Sequence, residues 1–135
     1  MAFTDLREWL SAVEKKGELL RLSGASYDLE MSGLAELLAS EGKTTMPVVL
    51  FDDVPGFPQG FRTVFGMLAS PRRLAMSLGL PEKDVSRVSL VQSWRKKQKS
   101  LSLIPPRYVK SGAVQENTLK GKKIDLLKFP HPPLP

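Results

Sequence analysis

At 135 residues the chain suits one domain with a single core, and its 41% hydrophobic and 25% charged residues exclude disorder throughout. The absence of cysteine excludes disulfides, thiolate metal sites, iron–sulfur clusters and cysteine nucleophiles, in keeping with a reducing compartment, the cytoplasm by default. The net charge of +6 is uneven: residues 1–60 hold 5 Lys+Arg against 10 Asp+Glu, and residues 61–135 hold 15 against 4, a basic half that can face a phosphate polymer, an acidic partner domain or an anionic cofactor.

In chain order, Thr4 is placed to cap a first helix whose Leu6, Trp9, Leu10 and Val13 fall on one face, with Lys15, Lys16 and Gly17 closing it. Residues 18–22, ELLRL, read as a short strand. A second helix near 29–40 buries Leu34, Leu37 and Leu38 before Gly42, and VVLF at 48–51 reads as a buried strand. The helical link between these strands predicts a right-handed parallel crossover. Turn formers from Asp52 to Gly60 lead into RTVFG, which predicts an antiparallel hairpin and hence a mixed sheet.

Ser70 and Pro71 supply an N-cap followed by proline at the first helical position, opening a short helix that ends at Gly79. Pro81 is expected to open a longer helix running to about Ser100, with Trp94 in the core. Pro105 and Pro106 bar any further helix. Beyond them VKSGAVQENTL predicts an extended piece, KGKK a turn and IDLLKF a short apolar segment. The last six residues, four of them proline, favour an extended chain and read as cut off inside a longer protein. The fold class is therefore α/β (α+β): a small mixed β-sheet packed with about four helices, followed by an extended C-terminal segment. Residues 1–111 are taken as the domain and 112–135 as the extended segment.

Chemistry is sparse. His131 is the single histidine, so a Ser-His-Asp arrangement would need a residue in the proline tail, and no two-histidine zinc site is possible. Neither GxGxxG nor GxxxxGK[ST] occurs. Asp52 and Asp53 are adjacent on an extended chain, so they point to opposite faces and read as turn formers. Arg95, Lys96, Lys97 and Lys99 crowd a helix end, where a solvated face, a docking surface or a phosphate contact all remain open. The PxxP spacings of the tail admit a WW or SH3 ligand beside a linker or a severed strand. No apolar run approaches the roughly 18 residues of a membrane helix, and MAFTDLREWL carries no export signal.

The order and wording of the segments carry more. DLREWLSAVEKKGELLRL, VVLFDDVPGF, FGMLASPRRLAMSLGL and above all GAVQENTLKGKKIDLLKFPHPPLP resemble the N-terminal portion of the UbiD decarboxylase family over nearly the whole chain. The last segment departs from the family at Ala113, where a proline is typical, and at Lys122 and Lys123, where acidic residues are.

The resemblance implies a parent with this N-terminal α/β domain, a central domain holding prenylated FMN with Mn2+ and K+, and a C-terminal oligomerisation domain. It implies a carboxy-lyase acting on aromatic or α,β-unsaturated carboxylic acids, whose Glu-Arg-Glu set and cofactor ligands lie C-terminal to this segment. No catalytic, cofactor-binding or metal residue is therefore assigned here. The expected role is interdomain contact, with Gln115, Glu116 and Asn117 offering polar groups and Leu126, Leu127 and Phe129 entering an apolar groove of the flavin-binding domain. A homo-oligomer is expected, without membrane or nucleic-acid partners, and the 135-residue chain alone is expected to be inactive. A free-standing non-catalytic subunit of such a complex and a small basic binding module are the alternatives.

Overall fold

The structure, a computed structural model, describes residues 3–40 and 45–132. Helix α1, Leu6–Lys15, starts at Asp5, whose Oδ1 accepts from the Glu8 backbone N–H at 2.9 Å. Thr4, expected as the cap, stands one residue earlier. Its backbone N–H and hydroxyl both donate to Glu8 Oε2, at 2.8 and 2.7 Å, so the two residues divide the work of a capping box. The helix ends at Gly17, whose φ of +69° lets Gly17 N donate to Glu14 O and Glu18 N to Val13 O, a Schellman closure that a Cβ would strain.

Strand β1, Leu19–Ser23, runs parallel to β2, Val48–Asp52, in register from Leu19 opposite Val48 to Ser23 opposite Asp52. The crossover between them carries α2, Met31–Ser40. Strand β3, Thr63–Phe65, pairs antiparallel to β2 with Val49 opposite Phe65, giving the sheet order β1-β2-β3. The parallel pairing of β1 with β2 across a helix, the antiparallel pairing of β2 with β3 and the mixed sheet are thus as the sequence predicts.

Successive residues of the central strand point to opposite faces, and both faces are covered, which is why VVLF is a continuous apolar run. Val49 and Phe51 pack with Ala25, Met31 and Val54 beside α2. Val48 packs on the other face with Trp9, Val13 and Met76. On α1, Leu10 is half-buried and Leu6 is exposed. On α2 the buried residues are Met31 and Ala35, with Leu34 and Leu38 half-buried. Leu37 lies about 200° around the helix from Ala35 and is exposed, contrary to expectation. Gly42, the expected stop, lies outside the described residues.

Helix α3, Pro71–Ser77, opens as predicted: Ser70 Oγ accepts from Arg73 N at 3.1 Å, and Gly79 follows with φ +61°. Pro81 does not open the next helix. Asp84 has φ +52°, which breaks helical geometry, and α4, Arg87–Lys99, begins only where Ser86 and Ser89 cap each other reciprocally. It buries Leu90 and leaves Trp94 half-buried, short of the core position expected. The piece expected to be extended after Tyr108 is interrupted by a 3-10 turn at Ala113–Gln115; further single turns follow at Gly121–Lys123 and Leu126–Lys128.

Candidate interdomain surface

From residue 101 the chain runs as an arm. Residues 101–112 and 114–129 are all exposed, among them Leu103 at 101%, Ile104 at 89% and Tyr108 at 95%. The total accessible surface, 10750 Å², exceeds by about half the roughly 7,000 Å² of a compact monomer of this mass. The excess is larger than a standard protein–protein interface, about 1,600 Å² over both partners.

The residues singled out for contact sit on this arm. Gln115 closes the first 3-10 turn by donating from its backbone N–H to Gly112 O at 2.9 Å, and its carbonyl accepts from Thr118 Oγ1 at 3.3 Å. Glu116 and Asn117 follow, both exposed. Asp125 Oδ1 accepts from Leu127 N at 3.1 Å, starting the turn that carries Leu126 and Leu127 outward at 71% and 75% exposure. The polar trio and the leucine pair are on separate turns.

Phe129 behaves differently. Its ring lies 5.9 Å from that of Phe61, while about half of it stays exposed. Beyond it Thr63 Oγ1 donates to Pro130 O at 3.2 Å, and the rings of His131 and Tyr27 lie 6.2 Å apart. A segment expected to be held chiefly by another domain therefore has its described end seated on residues 27–63. Aromatic side chains can pack against prolines where a flat apolar edge is offered, and Phe57 completes that edge between Tyr27 and Phe61.

Elsewhere the polar groups serve the fold. Arg73 is buried at 2% exposure. Its guanidinium donates to Glu18 Oε2 at 3.0 Å, Met67 O at 3.2 Å and Gly66 O at 3.1 Å, and also to Met46 O, so one side chain joins α3 to the entrance of β1 and to both ends of the hairpin. Gly66, at φ +70°, lies so close to the chain that an added Cβ would stand 2.9 Å from Pro47 O. No sequence motif marked Arg73; it follows a helix cap in a run of two arginines, which ordinarily signals a solvated surface.

Asp52 and Asp53 take different partners, although Asp53, at φ +48°, is not extended as expected. Arg62 donates to Asp52 and holds its carboxyl below the usual range, while Asp53 accepts from Ser23 Oγ. Likewise Arg21 lowers Glu14, and the Thr4 hydrogen bonds lower Glu8. In the basic cluster, Lys97 Nζ donates to the carbonyls of Leu78 and Gly79 at the end of α3, and Arg95, Lys96 and Lys99 are exposed. Lys96 and Lys99 border an open groove of about 670 Å³ with Leu80 and Pro81. Among the described residues no three His, Asp or Glu side chains gather as a metal site, and no helix is long and apolar enough to cross a membrane.

A three-stranded mixed sheet with helices, followed by an exposed arm whose described end returns to Phe61 and Thr63, defines a small α+β domain. The model of the N-terminal domain of 3-octaprenyl-4-hydroxybenzoate carboxy-lyase matches residues 10–89, more than half the chain. The chain belongs to this UbiD N-terminal domain family. It is 29% identical over 127 residues to a phenolic acid decarboxylase of Streptomyces sp. (strain D7) and 30% identical over 129 residues to that of Escherichia coli O157:H7, in each case covering 93% of this chain and 26% of the relative. The chain thus spans about a quarter of the length of these relatives. Among solved structures, the closed form of vanillic acid decarboxylase from Sedimentibacter hydroxybenzoicus superposes over 93% of this chain and 26% of that one, with a TM-score of 0.75 and 25% identity. Its open form covers 72% and 20%, with a TM-score of 0.62 and 23% identity.

Proposed function

We propose that this chain is the N-terminal, non-catalytic scaffold of a UbiD-type decarboxylase or carboxylase acting on aromatic or α,β-unsaturated carboxylic acids, and that its arm is the surface on which the flavin-binding part is seated. The exposed apolar arm carries this reading: side chains such as Leu126 and Leu127 gain free energy only when another body removes them from water. The decarboxylase relatives, of which the chain covers a quarter, supply the reaction class.

The expected cofactor is prenylated FMN with Mn2+ and K+, and the residues described here do not suit it. Asp52, Glu14 and Glu18 are each paired with an arginine, and among the described residues no three His, Asp or Glu side chains gather around a cation site. We therefore place cofactor and catalysis outside this chain. The chain's own part is positional: α4, tied to the end of α3 through Lys97, holds the root of the arm, the turn at Asp125 aims Leu126 and Leu127, and Gln115, Glu116 and Asn117 supply polar contacts at a second point.

The test compares the 135-residue chain with the full-length gene product, each supplied with prenylated FMN and Mn2+, following flavin retention on gel filtration and CO2 release from a panel of phenolic acids. The full-length protein is expected to retain flavin and release CO2, and to lose much of that activity in a Leu126→Asp, Leu127→Asp double variant. Hydrogen exchange at residues 114–128 is expected to be fast in the short chain and slow in the long one. Stoichiometric flavin on the short chain would overturn the scaffold reading, and an intact mass of the native product near 15.0 kDa would replace a domain with a free-standing subunit.

A further inference from the structure

We propose that Tyr27, Phe57, Phe61 and Thr63 form a built-in clasp for the chain's own Phe-Pro-His-Pro segment, residues 129–132, which turns the arm from a free tail into a strap fastened at both ends. The rings form a circuit. Tyr27 meets Phe57 edge-on at 5.2 Å, Phe57 stands 6.4 Å from Phe61, Phe61 stands 5.9 Å from Phe129, and His131 returns to Tyr27 at 6.2 Å. Pro130 lies between the last two partners in sequence. It is half-buried, and its carbonyl accepts from Thr63 Oγ1 at 3.2 Å. His131 Nδ1 lies 2.8 Å from Phe129 O; with the proton on Nδ1 the ring donates there and folds the segment over the proline.

Three features separate this from a chance contact. The receptor is stiff, because Tyr27 and Phe57 pack directly on the buried cluster of Ala25, Met31, Val49, Phe51 and Val54. The occupant is stiff as well: Pro130 and Pro132 restrict the backbone, so little conformational freedom is lost when it seats. Recognition combines an aromatic-lined groove with one hydroxyl directed at a proline carbonyl, the chemistry by which aromatic grooves take proline-rich peptides. Pro130 thus has a partner within the same chain.

The consequence is positional. Leu126 and Leu127 stand three and two residues before Phe129, so seating 129–132 fixes where they are offered, and closing the loop of residues 101–128 before any partner arrives lowers the ordering cost of a later contact. The clasp does not depend on which body the arm meets.

The absence of cysteine permits a direct test on the whole chain. Spin labels at Gln59→Cys and Lys128→Cys, both exposed positions, report the clasp by pulsed dipolar spectroscopy. A single narrow distance distribution is expected, with most of that narrow component lost in Phe61→Ala, Thr63→Val and Pro130→Gly, and retained in Tyr108→Ala, which lies on the arm away from the clasp. Pro130→Gly alters only the occupant, so its effect is read on an intact domain. A broad distribution in the parent chain, or a narrow one surviving Phe61→Ala and Pro130→Gly, would overturn the proposal. So would loss of the narrow component on dilution with unlabelled chain, because the segment would then sit on a second copy.

Discussion

Replacing Arg73 by alanine removes five donors from the interior at once. The guanidinium satisfies the part-buried carbonyls of Met46, Gly66 and Met67 and one oxygen of Glu18, and the side chain is itself 2% exposed. Each buried carbonyl left unpaired costs about 1–3 kcal/mol, while removal of one partner of a buried ion pair costs about 3–5 kcal/mol. These overlap. Glu18 keeps Arg72 at 3.2 Å and part of its side chain meets water, so its charge is not stranded and the carbonyls dominate. The expected loss is about 3–5 kcal/mol, a large share of the 5–15 kcal/mol typical of a domain. Arg73→Lys retains the charge, but one ammonium cannot span four acceptors arranged for a planar fork, so about 2 kcal/mol should be lost. Urea melts followed by tryptophan fluorescence suit the measurement, since the buried Trp9 donates from Nε1 to Ser77 Oγ at 2.9 Å, next to Arg73 on α3. If the alanine variant fails to fold, Glu18→Gln should still fold with a loss of about 1 kcal/mol. A loss under about 1 kcal/mol for Arg73→Ala would show that the carbonyls find other donors and that the buried fork is not what joins α3 to the sheet.

Val13 has no exposed surface whereas Leu10 is half-buried, so Val13→Ala should cost about 2 kcal/mol, Leu10→Ala about 1–2 and Leu6→Ala under about 0.5 in the same melts; equal costs for Leu6 and Val13 would show the helix face to be wrongly assigned. Acidification tests the surface pairs. Asp52, Glu14 and Glu8 have carboxyls lowered in the fold by Arg62, Arg21 and Thr4 respectively, so the native state binds fewer protons there than the unfolded chain. Their stabilisation is present above the ordinary carboxylate range near pH 4 and is lost as pH falls through the lowered values. Melts below about pH 4 should therefore show a stability decline that is flatter in an Asp52→Asn, Glu14→Gln variant, and an unchanged slope would mean these pairs are screened by solvent.

Local signals carried much of the fold. The apolar period of Trp9 and Val13, the Ser70-Pro71 start, the glycines at 17 and 79 and the unbroken VVLF run are effects of neighbouring residues on one another, and they suffice for α1, α3, the buried strand, the crossover and the hairpin. They failed where two local solutions compete: Asp5 displaces Thr4 as cap one residue later, and Ser86 with Ser89 starts α4 where Pro81 also could. The wording of the segments pointed to the family, and Gln115, Glu116, Asn117, Leu126 and Leu127, which the resemblance singled out, are exposed. Only the tertiary structure could decide the rest. Arg73 becomes a buried junction because two chain segments present their carbonyls to it and a third presents the Glu18 carboxylate, and Leu37 turns outward because the sheet lies on the opposite side of α2. Phe129 and Pro130 meet Phe61 and Thr63 across nearly seventy residues. Such meetings depend on how the elements pack, and periodicity along the chain carries no record of them.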